Sequence, residues 1–158
     1  MDIFNLKQEI YLYCQQKINA QLAIIRQSLE DFQQSANEET KSSAGDKYET
    51  GRAMMNLEKE KAMLQWTETD KLIRVLNQIH PEKTQSEAGL GSLVETDHGF
   101  YFLSVGLGRI ELDSSKIKRE MNVFAISLIS PIGQCLSGSH AGDEVLFNGK
   151  KIKIRAIA

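Results

Sequence analysis

The sequence predicts an α+β protein. A long antiparallel coiled-coil hairpin of two helices comes first, and a small antiparallel-sheet domain with one short helix follows. Two observations predict it. An apolar stripe recurs every seventh residue through Phe4, Tyr11, Ile18, Ile25 and Phe32, then through Tyr48, Met55, Ala62, Thr69 and Leu76, with Thr69 as its one polar member. That spacing is the seam of a coiled coil. The second observation is punctuation. Residues 1–80 contain no proline and two glycines (Gly45 and Gly51), whereas residues 81–158 contain Pro81, Pro131 and the other nine glycines. Such punctuation belongs to strands and turns, so the boundary falls at His80-Pro81. The expected organisation is a hairpin at 1–80 with an acidic tip at 36–49, a linker at 81–89, and a sheet domain at 90–158.

In the first helix Ile3, Ile10, Cys14, Leu22 and Leu29 widen the stripe, which stops at Phe32. Residues 33–47 are polar and read as the connection. The second helix starts around Gly45-Asp46 and adds Met54, Trp66, Leu72, Ile73 and Ile79 to its stripe. Pro81 cannot continue it. A helix of about 30 residues reaches roughly 45 Å. A single narrow seam buries little surface, so the hairpin's length serves reach; the alternative is a stripe shared between two chains.

Beyond the linker, 91–96 and 100–105 read as strands around a turn at Asp97-His98-Gly99. Residues 109–112 read as a third strand, after a turn at Gly106-Leu107-Gly108. Residues 123–129 are the most apolar segment and are expected at the centre of the sheet. Pro131 to Leu136 reads as a short helix with proline in its first turn. Residues 144–147 read as a strand leading into an Asn148-Gly149 hairpin turn. In the last strand Ile152, Ile154 and Ala156 face inward and alternate with Lys151, Lys153 and Arg155.

The 158 residues are 41% hydrophobic and 25% charged, a composition of soluble globular proteins. A net charge of −2 argues against a protein that grips nucleic acid mainly by its phosphates, so Lys151, Lys153 and Arg155 read as a solvated face. No apolar run has the length of a membrane span, and Met1-Asp2-Ile3-Phe4 lacks the order of a secretion signal; the expected location is the cytoplasm. Cys14 and Cys135 stand far apart without neighbouring ligand residues and read as small buried hydrophobes. Gly106-x-Gly108 is followed by Glu111 in a hairpin context, which excludes a dinucleotide fingerprint. His80, His98 and His140 are scattered through the linker and turns, so neither a metal cluster nor a nucleophilic triad has support.

The most chemical stretch is Gly45-Asp46-Lys47-Tyr48-Glu49. Spacing i, i+3 brings Asp46 and Glu49 to one face where the second helix begins. One reading is a helix-capping box. Position favours a second reading. Residues 36–49 carry Glu38, Glu39, Asp46 and Glu49 against Lys41 and Lys47, at the far end of a long arm. An acidic tip on such an arm can carry carboxylates to a metal ion inside another protein.

Here the sequence resembles the Gre transcript-cleavage factors of bacterial RNA polymerase, over essentially the whole chain. Ser130-Pro131-Ile132-Gly133-Gln134-Cys135-Leu136-Ser137-Gly138, then Ala141-Gly142-Asp143-Glu144-Val145, then Asn148-Gly149 before an alternating strand are similar to the family's Ser-Pro helix, Gly-Asp turn and closing hairpin. Gly45, Asp46 and Glu49 match the family's tip motif at its own spacing. The resemblance implies an FKBP-like fold for the C-terminal domain. It implies docking on the polymerase near the rim of the secondary channel through Ser130 and Pro131. It also implies that Asp46 helps hold the second magnesium of the polymerase active site while Glu49 positions the attacking water, so that extruded RNA is hydrolysed. The chain would then have no cofactor of its own and would not be an enzyme. Its partner would be bacterial RNA polymerase, with the backtracked RNA 3′ end met indirectly, no membrane, and a monomeric state.

Lys47, Tyr48 and Gly51-Arg52-Ala53 differ from the family's motif. That difference keeps open a relative that occupies the channel and regulates or inhibits polymerase without stimulating cleavage. Two other classes stay open. A peptidyl-prolyl isomerase needs an aromatic-lined cavity, for which Phe100, Tyr101, Phe102, Phe124 and Phe147 are available. A dimerising or chaperone-like arm would share its apolar stripe with a partner.

Overall fold

The computed structural model describes residues 2–39, 45–113 and 122–158, with backbone alone for residues 39 and 45–48. Its elements fall into two units, Gln16–Ile73 and Met1–Gln15 with Arg74–Ala158. Helix α1 spans Ile3–Glu39 and α2 spans Gly45–Leu76. The polar stretch expected to begin the connection at Gln33 is therefore helical as far as Glu39. Gln, Ala and Glu are good helix formers, and no glycine or proline interrupts the chain there. Losing apolar residues ends the seam but not the backbone ladder. A side-chain bond at i, i+4 supports this polar part, Gln33 Nε2 donating to Asn37 Oδ1 at 3.3 Å, and a like bond just before it runs from Gln27 Nε2 to Asp31 Oδ1 at 2.9 Å.

Within Gln16–Ile73 the heptad positions form the seam. Ile18 and Ala62 are buried, and Leu22, Ile25, Phe32, Met55, Trp66 and Thr69 are half-buried. Two polar contacts fasten the helices in antiparallel register: Lys59 Nζ donates to Gln33 Oε1 at 3.3 Å, and the Arg26 guanidinium lies 5.4 Å from the centre of the Trp66 ring. Met54 does not join the stripe. It follows the helical rotation away from its neighbour Met55 and is 67% exposed.

In the other unit Leu6, Ile10 and Cys14 of α1 are buried, as are Leu76 and Ile79. Tyr11 Oη donates to the Leu76 carbonyl at 3.3 Å. After Leu76 the backbone tightens, with Gln78 N and Ile79 N donating to the Val75 and Leu76 carbonyls. The linker is tied to the turn after the short helix: Ala88 N donates to Ser139 O and Gly138 N to Ala88 O, both at 2.8 Å.

The sheet contains β1 (Leu93–Thr96), β2 (Gly99–Ser104), β3 (Gly108–Arg109), β4 (Val123–Ser127), β5 (Glu144–Phe147) and β6 (Lys150–Ile157), in the spatial order β3-β4-β2-β1-β6-β5. Its pairings are antiparallel except β2 with β4, which run parallel from Phe100↔Val123 to Ser104↔Ser127. The apolar segment expected at the centre is thus second from an edge. Its hydrophobic run reflects the buried, parallel pairing with β2, and the central strands are β2 and β1. The third strand is also shorter than expected, limited to Gly108 and Arg109.

β4 ends at Ser127, where Ser130 N turns back to the Ser127 carbonyl at 3.1 Å. Helix α3 (Pro131–Leu136) follows. Its Leu136 joins Ala88, Val94, Leu103 and Ile154 in the core. Asn148 and Gly149 both take positive φ (50° and 75°) and make the two-residue turn between β5 and β6. On β6, Ile152 and Ile154 are buried while Lys151, Lys153 and Arg155 are exposed. Among the described residues no helix is long and apolar enough to cross a membrane.

Candidate functional site

α2 begins at Gly45, which places Asp46 in its first turn rather than before the helix as a cap. Glu49 lies one turn further on and is exposed. The i, i+3 relation sets the two positions on one helix face, with Cβ atoms about 5–6 Å apart. Carboxylates near a helix N-terminus are also favoured by the macrodipole, so a fold-stabilising role for Asp46 coexists with any other. The Asp46, Lys47 and Tyr48 side chains and residues 40–44 of the acidic tip, Lys41 included, lie outside the described residues. Glu38 is exposed near the end of α1. Among the described residues no group of three His, Cys, Asp or Glu side chains comes together as a metal cage. Two carboxylates suit a magnesium ion whose remaining ligands are water, phosphate and a second protein.

At the other candidate site, Ser130 is the N-cap of α3. Its Oγ accepts from Gly133 N at 3.1 Å and donates to the Ser127 carbonyl at 2.6 Å. Pro131 is the first helical residue, where its missing N–H costs nothing, and it is exposed. Gly133 is required for close approach: a Cβ there would collide with the Ser127 carbonyl oxygen. The Ser130 hydroxyl is thus committed to joining β4 to α3, while the Pro131 ring, Gln134 and the 82% exposed Ile129 face solvent. Asp46 and Glu49 belong to one unit, and Ser130 and Pro131 to the other.

No family model and no curated protein matches the chain. Among solved structures it is similar to Gfh1. A structure of the transcription factor Gfh1 is 21% identical over 92% of this chain and 93% of its own, with a TM-score of 0.36. A crystal structure of the GreA factor homolog 1 (Gfh1) protein of Thermus thermophilus is 19% identical over 91% of this chain and 94% of its own, with a TM-score of 0.34.

Several chemically important groups escaped the sequence pattern. Lys7 is 1% exposed, and its Nζ donates to the Lys83 carbonyl at 2.6 Å. Burial holds its pKa below the ordinary lysine value, and the nearby Glu82 carboxylate opposes that shift. Its place on the stripe between Ile3 and Ile10 was the available signal. Cys14 is fully buried as expected, and burial pushes its thiol pKa up to about 12, which makes it inert. Cys135 is only half-buried, because α3 lies beside the edge of β5 and its Sγ donates to the Leu146 carbonyl at 3.1 Å. The histidines are exposed, each beside one carboxylate: His80 with Glu82, His98 with Asp97 and His140 with Asp143. Phe100 and Phe102 are buried in the fold, and Tyr101 stacks on Phe124 with ring centres 5.6 Å apart.

Proposed function

We propose that this protein is a Gre-type transcription elongation factor that binds bacterial RNA polymerase through its secondary channel and stimulates cleavage of backtracked RNA. The observation that carries the reading is the pair Asp46 and Glu49, one helical turn apart at the start of α2, beside the connection of a long helical hairpin. Gln16–Glu39 of α1 alone extends about 35 Å at 1.5 Å per residue. In this reading Asp46 shares the second magnesium with the polymerase, and Glu49 orients the water that attacks the phosphodiester. The ion supplies charge stabilisation at phosphorus. The chain supplies two carboxylates, and the hydrolysis belongs to the polymerase, so the factor has no nuclease activity alone. Pro131 and its neighbours dock the C-terminal unit on the outside of the channel.

A second reading is favoured by one observation. Arg52 is exposed one turn beyond Glu49, and a cation there competes with magnesium for the carboxylate. In that reading the arm occupies the channel and regulates polymerase without stimulating cleavage.

The test is RNA cleavage in purified backtracked elongation complexes with magnesium, comparing wild type with the Asp46→Asn, Glu49→Gln double variant. Faster cleavage with wild type and none with the variant is the expected result. Wild type that binds polymerase but leaves cleavage at its intrinsic rate overturns the first reading in favour of the second.

A further inference from the structure

In α1, Ile3, Lys7, Ile10 and Cys14 follow one another at intervals of four, three and four residues. Lys7 thus fills a place where the seam pattern calls for an apolar side chain. It is buried there to 1% exposure, among the largest fully buried side chains of the described residues, and Leu6 and Ile10 beside it are buried too. Its Nζ donates to the Lys83 carbonyl at 2.6 Å. Lys83 belongs to the segment 81–89, which the sequence marks as a linker. In the structure that segment is a bonded strap. Lys83 N closes a turn on the His80 carbonyl at 3.0 Å. Gln85 Nε2 donates to the Leu90 carbonyl at 3.1 Å, and Ser92 Oγ donates to Gln85 Oε1. Ala88 then joins the turn after α3 through its bonds with Gly138 and Ser139.

Burial does not hold the first half of this strap. Glu82, Lys83, Thr84 and Ser86 are exposed, and Gln85 is half-buried. Polar bonds must therefore fix its path, and the one from Lys7 comes first along the chain. The choice of lysine is costly. Taking an ammonium out of water is expensive, and a hydrogen bond to a carbonyl returns only part of that cost. Methionine fills a similar space without it. What lysine adds is selection: apolar neighbours accept any chain laid over them, whereas a buried ammonium is satisfied only where an acceptor comes within reach. We propose that Lys7 is a latch that selects one path for residues 82–84 over the first turns of α1, tying α1 through the strap to the turn after α3, without adding to overall stability. A lone polar residue in a coiled-coil seam acts in the same way, fixing register at a cost in stability. Neither candidate site uses Lys7, so the latch stands or falls apart from the proposed function.

The experiment measures backbone ¹⁵N order parameters of the full chain, wild type against Lys7→Met, with thermal melting of both. Lys7→Met loses the bond to Lys83 but also removes a desolvated charge and keeps an apolar stem in the same space. Wild type should give order parameters of about 0.85 at residues 82–84, equal to those of β1 and β2. In Lys7→Met they should fall below about 0.6 at residues 82–84 and stay unchanged in the sheet. The melting temperature should be equal or higher. Values at 82–84 that remain as in wild type show that the strap keeps its path unaided and overturn the latch. Values already low in wild type overturn it too. A lower melting temperature or a failure to fold makes Lys7 a source of stability, which also overturns it.

Discussion

Ser130 is the residue for which the docking role and the folding role make opposite predictions. Replacing it with Ala removes both bonds of its hydroxyl, from Gly133 N and to the Ser127 carbonyl. Loss of an N-cap costs about 1 kcal/mol. Gly133 is buried, so the amide left without its partner puts the loss near the upper limit for a cap, about 2 kcal/mol. A local loss of about 2 kcal/mol corresponds to roughly 30-fold faster opening. Hydrogen exchange is the suitable assay, because Trp66 lies in the other unit and tryptophan fluorescence does not follow α3. The Gly133 amide should exchange roughly 30-fold faster in Ser130→Ala, and Ser130→Thr, which keeps the hydroxyl, should restore most of the protection. Polymerase binding should weaken only as far as α3 opens. Unchanged Gly133 protection together with lost polymerase affinity would refute the reasoning and make the Ser130 hydroxyl a docking group.

Lys7 links stability to pH. Burial lowers its folded pKa below the unfolded value of 10.5, so the unfolded chain binds more protons between the two values and stability rises with pH across that window. Lys7→Met should abolish this rise in urea unfolding compared at neutral and alkaline pH, and a retained rise would assign it elsewhere. Lys7→Ala also leaves the Lys83 carbonyl without its donor and should cost about 2 kcal/mol. The thiols should separate by burial: native protein treated with iodoacetamide near pH 8 should be alkylated at Cys135 and spared at Cys14, whose pKa is about 12. Peptide mass spectrometry reads this directly, and native alkylation of Cys14 would contradict its burial beside Leu6, Ile10 and Leu76.

Where a residue type admits one backbone conformation, the sequence located the element. Pro131 at the first helical position and Gly138 at φ 80° bracket α3. Asn148-Gly149 marks a turn that needs positive φ twice, and the alternation on β6 sets its two faces. Errors arose where a pattern reports burial rather than geometry. Gln33 to Glu39 lost the apolar stripe yet stayed helical, because propensity outlasts packing. Residues 123–129 were apolar enough for a central strand, but order within a sheet depends on pairings between distant segments, and an apolar run reports burial without naming the strands on either side. Of the candidate site, the one-turn spacing of Asp46 and Glu49 followed from the numbering alone. The commitment of the Ser130 hydroxyl did not, since it needs the Ser127 carbonyl at the end of another element.

The uneven distribution of burial has a functional meaning. Among the described residues of Gln16–Ile73 the buried side chains are Ile18 and Ala62, with half-buried neighbours along the rest of the seam. The other unit holds most of the buried apolar residues, among them Leu93, Phe102, Leu103 and Ile154. Burial supplies most of the stability of a fold. An arm with a thin seam is the element that opens at least cost, whereas the sheet and the first turns of α1 resist opening. For a factor of the proposed kind this division is useful. The docking unit must present Pro131 and its neighbours in a fixed arrangement, because disorder there would reduce affinity directly. The carboxylates must instead fit a metal ion whose other ligands belong to a second protein and to RNA. A weakly packed helix pair can adjust to that geometry for a small free-energy cost, and a thicker hairpin core would remove the adjustment along with the instability.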